Sequence, residues 1–517
     1  MNYSTGKLAF IFVLAVLLSY VGAWWVARRY RLTMQREMRA PAQAPSHGDD
    51  APALPIQATP AAVTIADNRR AGLRLALLLV TLSGLISLTS AALQLHVVMK
   101  ETTFSFNRLA VLGFVQLWPV IPSLGLLWRW SRWRVLGALA LWFVVCLAIV
   151  WWRSDGNSIT ALLSFLAFEI GPPMLLAGAV CLGGASRAVA PWLLLPMIGL
   201  VWASQAGIDL VALMIPRPPG WFLTLLAWFG AHTVLALSAL LPWLLAWWPL
   251  KWLGRALAHA YARKALSELL VLFTAVWGIS LLAKALMAAS DLGLGGAVML
   301  LPLLWVPLVM TIARLAGRPQ GRPPTLLVLR VFQHDARIQA LFDHVIERWR
   351  LTGNTVLIAG TDLIERTLDA DDIFTFIDGR LAARFIQRPA DVAVRLAAFD
   401  LAPDADGRYR VNECYCHDST WKPALAALVQ RSDVVLMDLR SFKSHNDGCR
   451  HELGVLARAT YLARVVVLTD GDTDRTAAME AIAAAPAGRF VWLDTSHTDR
   501  ATRRAVLASL FVVPRIH

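Results

Sequence analysis

A polar loop between an apolar run and a helix carries the residue types best suited to chemistry. The apolar run ends in Asp438, Ser441 follows it, and the next helix opens with Cys449-x-x-Glu452. A short continuous apolar run is typical of a strand buried on both faces of a parallel sheet. Ligands of such a sheet bind outside the carboxyl ends of its strands. We therefore expect any site of this domain to lie at this loop.

A second group of chemically active residues surrounds the motif Cys414-x-Cys416-His. Side chains alternate along a strand, so Cys414 and Cys416 share a face. Cys449 or His451 could complete a zinc site with them. Zinc sites usually show a second paired motif, however, and reduced cysteines pack well as small apolar side chains. We therefore predict no metal site here.

Five ionisable residues interrupt the apolar segments of the first two thirds of the chain. Charged groups at such depth in a bilayer are costly and usually face a partner or a polar cavity. The functional interpretation is a polar pocket open to the outside. The alternatives are snorkelling toward the interface or interhelical pairing, such as Asp209 with Lys284. The five residues are His96, Glu169, Asp209, His232 and Lys284.

The apolar segments themselves predict a polytopic membrane protein. Each is about 20 residues long, the length a helix needs to cross the hydrocarbon core. Proline pairs mark two segments that could be re-entrant, Pro119 with Pro122 and Pro172 with Pro173. We place nine spans, at 8–26, 75–97, 109–128, 135–152, 162–183, 188–214, 221–247, 266–288 and 294–314.

The distribution of charge predicts the orientation of these spans. The first 321 residues hold 24 Lys and Arg against 10 Asp and Glu, whereas the remaining residues hold 25 of each. With the N-terminus outside, the inner side holds 19 basic residues, counting Arg322, and the outer side holds five, as the positive-inside rule requires. We therefore expect a multi-pass protein of the plasma (inner) membrane with its C-terminal domain in the cytoplasm. The lipid bilayer is its expected partner, and nucleic acid is not.

Composition also predicts the domain boundaries. Residues 1–27 form a transmembrane anchor, 28–70 a cytoplasmic Ala/Pro-rich linker, and 71–316 the polytopic helical domain. Residues 322–517 alternate short apolar runs with helical patterns, which favours a doubly wound α/β domain with a mainly parallel sheet. We predict its strands at 325–332, 355–359, 409–415, 433–438, 464–469 and 489–493.

The α/β segment lacks the common nucleotide and hydrolase fingerprints, such as the Walker A loop, G-x-G-x-x-G and G-x-S-x-G. Its strand, Ser-containing loop and helix opening with Cys449-x-x-Glu452-Leu453 instead resemble the TIR-type domain (the Toll-receptor signalling fold). The opening strand with Phe332 and Asp335 and the amphipathic helix after it are similar to the start of that domain. Gly448 stands where the family has Trp, and the segment 361–407 is longer than the family usually carries.

The resemblance implies a signalling and self-association domain. Some family members cleave the nicotinamide–ribose bond of NAD with the Glu of this helix. The resemblance therefore implies Glu452 as catalytic residue, Asp438 and Ser441 as cofactor-binding candidates, and NAD as a possible substrate rather than an established cofactor. A carboxylate in a cleft can stabilise an oxocarbenium-like transition state or hold the ribose hydroxyls.

The primary interpretation is an integral membrane protein with a cytoplasmic TIR-like signalling and interaction domain, and a membrane-gated NAD glycohydrolase that uses Glu452 is the first alternative to it. Further interpretations of the residues stay open. Glu452 could be a surface carboxylate, which the first turn of a helix favours. The α/β domain could act only as an interaction module. The membrane part could be a transporter or channel that the α/β domain regulates, which requires Glu169, Asp209 and His232 to converge on one cavity.

Overall fold

The chain forms two compact units in a computed structural model. The structure describes residues 5–39, 59–153, 158–181, 186–315, 321–330, 342–359, 370–377, 379–417, 419–486, 488–497 and 499–511. The membrane unit comprises Met1–Arg28, Leu78–Ile312 and Asp369–Phe374, and the α/β unit comprises Arg29–Leu77, Ala313–Leu368 and Thr375–His517. A helical membrane bundle and an α/β domain with a parallel sheet confirm the predicted fold class.

Long apolar helices build the membrane unit. Among the described residues, eight helices are long and apolar enough to cross a bilayer, or nine if one bent pair counts as a single span. A π-helical segment, Gln94–Val98, extends the second helix, and a 3₁₀ helix, Gly293–Leu304, precedes the last. The helices are α1 (Thr5–Arg39), α2 (Ile65–Leu93), α3 (Phe106–Gln116), α4 (Val120–Leu127), α5 (Arg132–Arg153), α6 (Ile159–Cys181), α7 (Ser186–Met214), α8 (Gly220–Phe229), α9 (Ala231–Leu245), α10 (Trp247–Ala262), α11 (Glu268–Leu292) and α12 (Trp305–Leu315).

The two proline-rich segments behave differently. The bent pair is α3 and α4, which meet at 43°. Pro119 stands directly before α4 and, lacking an amide hydrogen, cannot continue the hydrogen-bond ladder of α3. In contrast, Pro172 and Pro173 lie inside the continuous helix α6. The first segment is therefore either a broken span or a re-entrant loop, whereas the second segment forms one helix.

The predicted span at 221–247 is placed differently by the structure. Gly230 has a φ of +76°, which favours glycine, and it separates α8 from α9. The candidate span then covers Ala231–Ala262. Hydropathy alone did not reveal this break, because the residues on both sides of Gly230 are apolar.

Seven parallel strands form the sheet of the α/β unit. They are β1 (Thr325–Arg330), β2 (Asn354–Ala359), β3 (Phe385–Ile386), β4 (Val411–Cys416), β5 (Val434–Asp438), β6 (Arg464–Thr469) and β7 (Phe490–Asp494). Their spatial order is β3-β4-β2-β1-β5-β6-β7. Without the edge pair β3-β4 the order is 2-1-3-4-5, one of the two common orders of doubly wound sheets. Thus, the long segment after β2 adds strands at the edge beyond β2.

Helices connect these strands and complete the core. A π-helical turn, Phe342–Ile346, precedes the short helix α13 (Glu347–Trp349). Fully buried Leu425 and Leu453 pack with Val435 and Val465 of the central strands in one apolar cluster. The remaining helices are α14 (Ala370–Ile377), α15 (Asp391–Ala397), α16 (Trp421–Gln430), α17 (Asp447–Arg458), α18 (Arg475–Ala481) and α19 (Arg500–Leu510).

The ends of the predicted linker belong to helices that pack in the α/β unit. The first helix continues to Arg39, and the second begins at Ile65. Tyr30 packs edge-to-face on Phe376 with ring centroids 6.0 Å apart. Asn68 is buried and donates a hydrogen bond of 2.7 Å to the carbonyl of Arg348. Residues 40–58 of the predicted linker lie outside the described residues.

Gly353 allows the chain to enter β2 against Trp349. A Cβ atom at Gly353 would lie 2.7 Å from the carbonyl oxygen of Pro324 and 2.7 Å from the indole of Trp349. That indole donates a hydrogen bond of 2.8 Å to the carbonyl of Asn354. We expect Gly353→Ala to lower the stability of the α/β unit by about 1–3 kcal/mol, as other overpacked sites do. Thermal unfolding of the full-length protein measures this loss.

Gly471→Ala is the matched control, because nothing lies within 4 Å of a Cβ atom at that position. An unfolding midpoint that is the same for both variants would contradict the close approach at Gly353.

Candidate functional site

The switch point of the sheet, where the order in which strands are added reverses, lies between β1 and β5. After β1 the chain builds strands on one side, and from β5 onward it builds them on the other. Clefts of open α/β sheets form at such a switch point, outside the carboxyl ends of the two strands. Those ends carry Arg330 and Asp438, which face each other in register. The segment that follows Arg330, including Phe332 and Asp335, lies outside the described residues.

Glu452 lies at this switch point and is buried. Its side chain belongs to α17, the helix that follows β5, and the residue is 5% exposed. The alternative of a surface carboxylate in the first helical turn is therefore wrong. Burial raises the pKa of Glu452 to about 8, and the nearby positive charge of Arg330 acts in the opposite direction. At neutral pH the carboxyl group is accordingly mostly protonated.

One oxygen of the Glu452 carboxyl group has no partner among the described residues. Oε2 is fully buried and makes no hydrogen bond with any described residue. A buried polar atom without a partner costs free energy, about 1–3 kcal/mol, and such atoms are rare in native proteins. Where they occur, they mark positions that a ligand or water can satisfy. A neutral carboxyl group offers such a ligand one donor and one acceptor.

The two residues predicted to bind a cofactor have other roles in the free protein. The Asp438 carboxylate accepts two hydrogen bonds from the Arg440 guanidinium, at 2.8 and 2.6 Å. Ser441 has a φ of +61°, and its amide donates to Asp470 at 3.0 Å. Both residues therefore shape the loop between β5 and α17, and their role toward a ligand stays a prediction.

This loop is fastened to the neighbouring loop after β6. The Thr473 hydroxyl donates to the carbonyl of Leu439 at 2.9 Å, and the Asp474 amide donates to the carbonyl of Phe442 at 2.9 Å. Lys443 reaches the carbonyl of Asp472 at 2.8 Å. These bonds hold the start of α17, and with it Glu452, in a fixed position relative to the sheet.

The three cysteines of the α/β unit have different surroundings. The Sγ atoms of Cys414 and Cys416 lie 3.7 Å apart on one face of β4, as predicted. Cys449 instead lies near Glu452 and Asp438, where burial first and these two carboxyl groups second raise its pKa to about 12. His451 packs edge-to-face on Trp421. In the described part of the chain no three His, Cys, Asp or Glu side chains are grouped to hold a metal ion.

Other polar residues at the strand ends form separate contacts. The hydroxyl of Tyr415 donates to the Glu413 carboxylate. The Nε2 atom of His417 is buried and makes no hydrogen bond with a described residue. Asp433 accepts from Arg322 and from the amide of Thr325 at the opposite end of the sheet. Asp418 lies outside the described residues.

In the membrane unit the structure brings Glu169 and Lys284 together. The two side chains form a salt bridge and are each about 7% exposed. Lys284 Nζ also lies 3.3 Å from Gln94 Oε1, which accepts a hydrogen bond of 2.6 Å from Gln116. Glu169 is near the middle of α6, so this polar group lies deep in the apolar bundle.

The other three predicted intramembrane residues lie apart from this pair. Asp209 forms its salt bridge with Lys7, at 2.8 Å, instead of the predicted one with Lys284. His96 Nδ1 donates a hydrogen bond of 3.0 Å to the carbonyl of Glu101, and the ring stacks on Phe104. His232 is exposed. Glu169, Asp209 and His232 thus have separate surroundings within the described bundle.

Comparison of the chain with models of known families, with curated proteins and with solved structures finds no match.

Sequence reasoning missed Arg330, Arg440, Gln94 and Gln116. Arg330 and Arg440 come at the ends of the apolar runs of two adjacent strands. A charged residue at that position indicates a site only once the strand order is known. The two glutamines are uncharged, and a search for ionisable residues passes over them. An amide inside an apolar span carries a similar signal, since it needs a partner there.

The buried proton of Glu452 makes stability depend on pH. The pKa is about 8 in the folded protein against an ordinary value of 4.5. Between these values the folded state keeps a proton that the unfolded state has lost, so wild-type stability falls as the pH rises. Glu452→Gln removes this titration. We therefore expect the stability of Glu452→Gln relative to wild type to rise by a few kcal/mol between pH 5 and pH 8. Its unfolding temperature relative to wild type should rise accordingly.

Calorimetry of the full-length protein in detergent at several pH values measures this difference. Glu480→Gln, at an exposed position of α18, is the control and should show no such trend. A pH-independent difference between Glu452→Gln and wild type would contradict a raised pKa.

The ion pair in the bundle predicts a second stability pattern. Lys284→Met leaves the Glu169 carboxylate buried without its partner, and we expect a loss of about 3–5 kcal/mol. The double variant Glu169→Gln/Lys284→Met should recover most of this loss. Thermal unfolding in detergent measures both. Lys7→Met, which breaks the more exposed pair with Asp209, should cost less than about 1 kcal/mol; equal losses for the two lysine variants would contradict the assignment.

Proposed function

We propose that this chain is a membrane signalling protein whose TIR-like α/β unit cleaves the nicotinamide–ribose bond of NAD, with Glu452 as the catalytic residue. One observation carries the proposal. A buried carboxyl group with a raised pKa and one unpartnered oxygen lies at the switch point of a parallel sheet. Perturbed carboxyl groups in such clefts are typical of catalytic sites.

The strand arrangement supports the family resemblance from which we infer NAD as the substrate. The long segment 361–407, a departure from the family pattern, contributes β3 at the edge of the sheet beyond β4 and β2. Strand β3 therefore lies away from β1 and β5, which carry the candidate site. The motif residues Cys449, Glu452 and Leu453 are all buried in α17, so the motif faces the sheet rather than solvent.

The chemistry follows from the charge of the substrate. NAD carries a positive charge on its nicotinamide ring, and a bound cation beside Glu452 lowers the pKa of the carboxyl group. The resulting carboxylate stabilises the oxocarbenium-like transition state as the glycosidic bond breaks and neutral nicotinamide leaves. Water then adds to the ribose C1′ atom and releases a proton, which gives ADP-ribose.

Arg330 and the loop between β5 and α17 have supporting roles in this scheme. The guanidinium of Arg330 favours the ionised form of Glu452, which is the form that the transition state requires. The hydrogen bonds between the loops after β5 and β6 keep the carboxyl group in place, which limits the loss of conformational entropy on binding.

The proposed location is the plasma (inner) membrane with the α/β unit in the cytoplasm. The support is the excess of basic residues on the inner side of the predicted spans. This orientation exposes the site to cytoplasmic NAD. Self-association through the α/β unit stays a prediction. The transporter alternative needed Glu169, Asp209 and His232 at one cavity, and their separate contacts give it no support.

The test is nicotinamide release by the full-length protein incubated with NAD at high protein concentration. We expect Glu452→Ala to reduce release by a factor of about 10² or more, as the loss of one transition-state group does elsewhere. Because the ionised carboxylate is the active form, kcat/KM should rise with pH through the pKa of about 8 and level off roughly one pH unit above it. Glu480→Ala serves as the control and should keep wild-type activity.

Equal release by wild type and Glu452→Ala would exclude Glu452 as the catalytic residue. No release by either protein would favour an interaction module without this activity.

A further inference from the structure

Four arginines from distant parts of the sequence meet on one surface of the α/β unit. The arginine patch, as we name it, consists of Arg69, Arg348, Arg500 and Arg504. All four side chains are exposed. Partial burial, followed by the positive charges of Arg500, Arg504 and Arg69, lowers the pKa of Arg348. Like charges held together in this way are unfavourable unless an anion binds between them.

Tertiary contacts hold the arginine patch in place. Buried Asn68, next to Arg69 on α2, donates to the carbonyl of Arg348 and to the hydroxyl of Thr352, at 2.7 and 2.9 Å. Trp349, next to Arg348, packs on Phe511 at the end of α19 with ring centroids 5.1 Å apart. The start of α2 and the end of α19 therefore both lie next to α13.

The two arginines of α19 face away from the core. Arg500 and Arg504 are four residues apart, so they lie on the same side of the helix. Val506, Leu507 and Leu510 are buried on the other side. The patch is thus a surface presented to the surroundings of the α/β unit.

The neighbouring carboxylates already have partners. Glu347 forms salt bridges with Arg350 and Arg408, and Asp67 accepts from Thr64 and lies near Arg70. Asp499 accepts from the amide of Thr502. None of the four patch arginines forms a salt bridge with a described residue. The positive charge of the patch is therefore available to an external anion.

The position of Arg69 on its helix identifies the class of anion. Arg69 belongs to α2, which continues as a candidate membrane span to Val98. The apolar stretch of this helix begins about six residues after Arg69, which corresponds to about 9 Å along the axis. Basic side chains at that distance from the hydrocarbon core lie at the level of the lipid headgroups.

We propose that the arginine patch binds the phosphate groups of anionic phospholipids in the leaflet that α2 enters. Arginine suits this role because its guanidinium group forms paired hydrogen bonds with phosphate oxygens. Binding relieves the repulsion among the four guanidinium groups. The lipid then links the start of the membrane helix to α13 and α19 of the α/β unit.

The experiment compares phosphatidylserine with phosphatidylcholine as ligands of the full-length protein in neutral detergent. Native mass spectrometry gives the Kd of the bound lipid. The test variant changes all four patch arginines to Gln. A control variant changes four exposed basic residues elsewhere in the α/β unit to Gln, namely Lys422, Arg450, Arg458 and Arg475.

We expect wild type to prefer phosphatidylserine, and the patch variant to lose several hundredfold in affinity. Each basic residue near a membrane surface contributes about fivefold, from about 1 kcal/mol. The control variant should stay within about threefold of wild type. A second variant with Lys at all four patch positions keeps the charge and the fold, and should retain at least a tenth of the wild-type affinity.

Three outcomes would overturn the proposal. The patch variant could bind phosphatidylserine as tightly as wild type. Inorganic phosphate at millimolar concentration could displace the lipid completely, which would identify a site for the free anion. A homopolymeric RNA could bind wild type more tightly than the lipid does and depend on the same arginines, which would identify a nucleic-acid surface.

Discussion

The parallel pairing of β1 with β5 determines where the candidate site lies in this protein. It joins strands that lie more than a hundred residues apart in the chain and places Arg330 in register with Asp438. The same pairing sets the start of α17, and so brings the buried Glu452 carboxyl group to the end of β1. Further contacts, from Thr473, Asp474 and Lys443, keep the connecting loop in one conformation. If β1 and β5 were separated, the candidate site would not exist.

Both units contain buried polar groups whose removal from water costs free energy. In the α/β unit, Oε2 of Glu452 is buried without a described partner, and the cost is reduced because the group holds a proton at neutral pH. In the membrane unit, Glu169 and Lys284 neutralise each other, and Gln94 and Gln116 add hydrogen bonds. The first arrangement leaves an atom for a ligand. The second joins α2, α3, α6 and α11 inside the bundle, which suits a role in holding these helices together.

Much of the fold could be predicted from local sequence. The apolar runs of β1, β5 and β6 and the positions of most membrane helices follow from hydropathy and its periodicity. Strand β3, with two residues, is too short to give a signal, and Gly230 breaks a helix inside a uniformly apolar stretch. The sequence also indicated Glu452, but its burial and its proximity to Arg330 depend on strand order. Likewise, the partner of Lys284 could not be chosen between Asp209 and Glu169 without the helix packing.

We propose that Glu452 holds a proton in the free protein and gives it up to a cationic ligand. Isothermal titration calorimetry can test it with the full-length protein, a carbocyclic NAD analogue that keeps the nicotinamide charge but resists cleavage, and buffers of different ionisation enthalpy at pH 7. With a pKa of about 8, we expect binding to release close to one proton per site in wild type and none in Glu452→Gln. Binding that releases no proton in wild type, or the same number in both proteins, would contradict it.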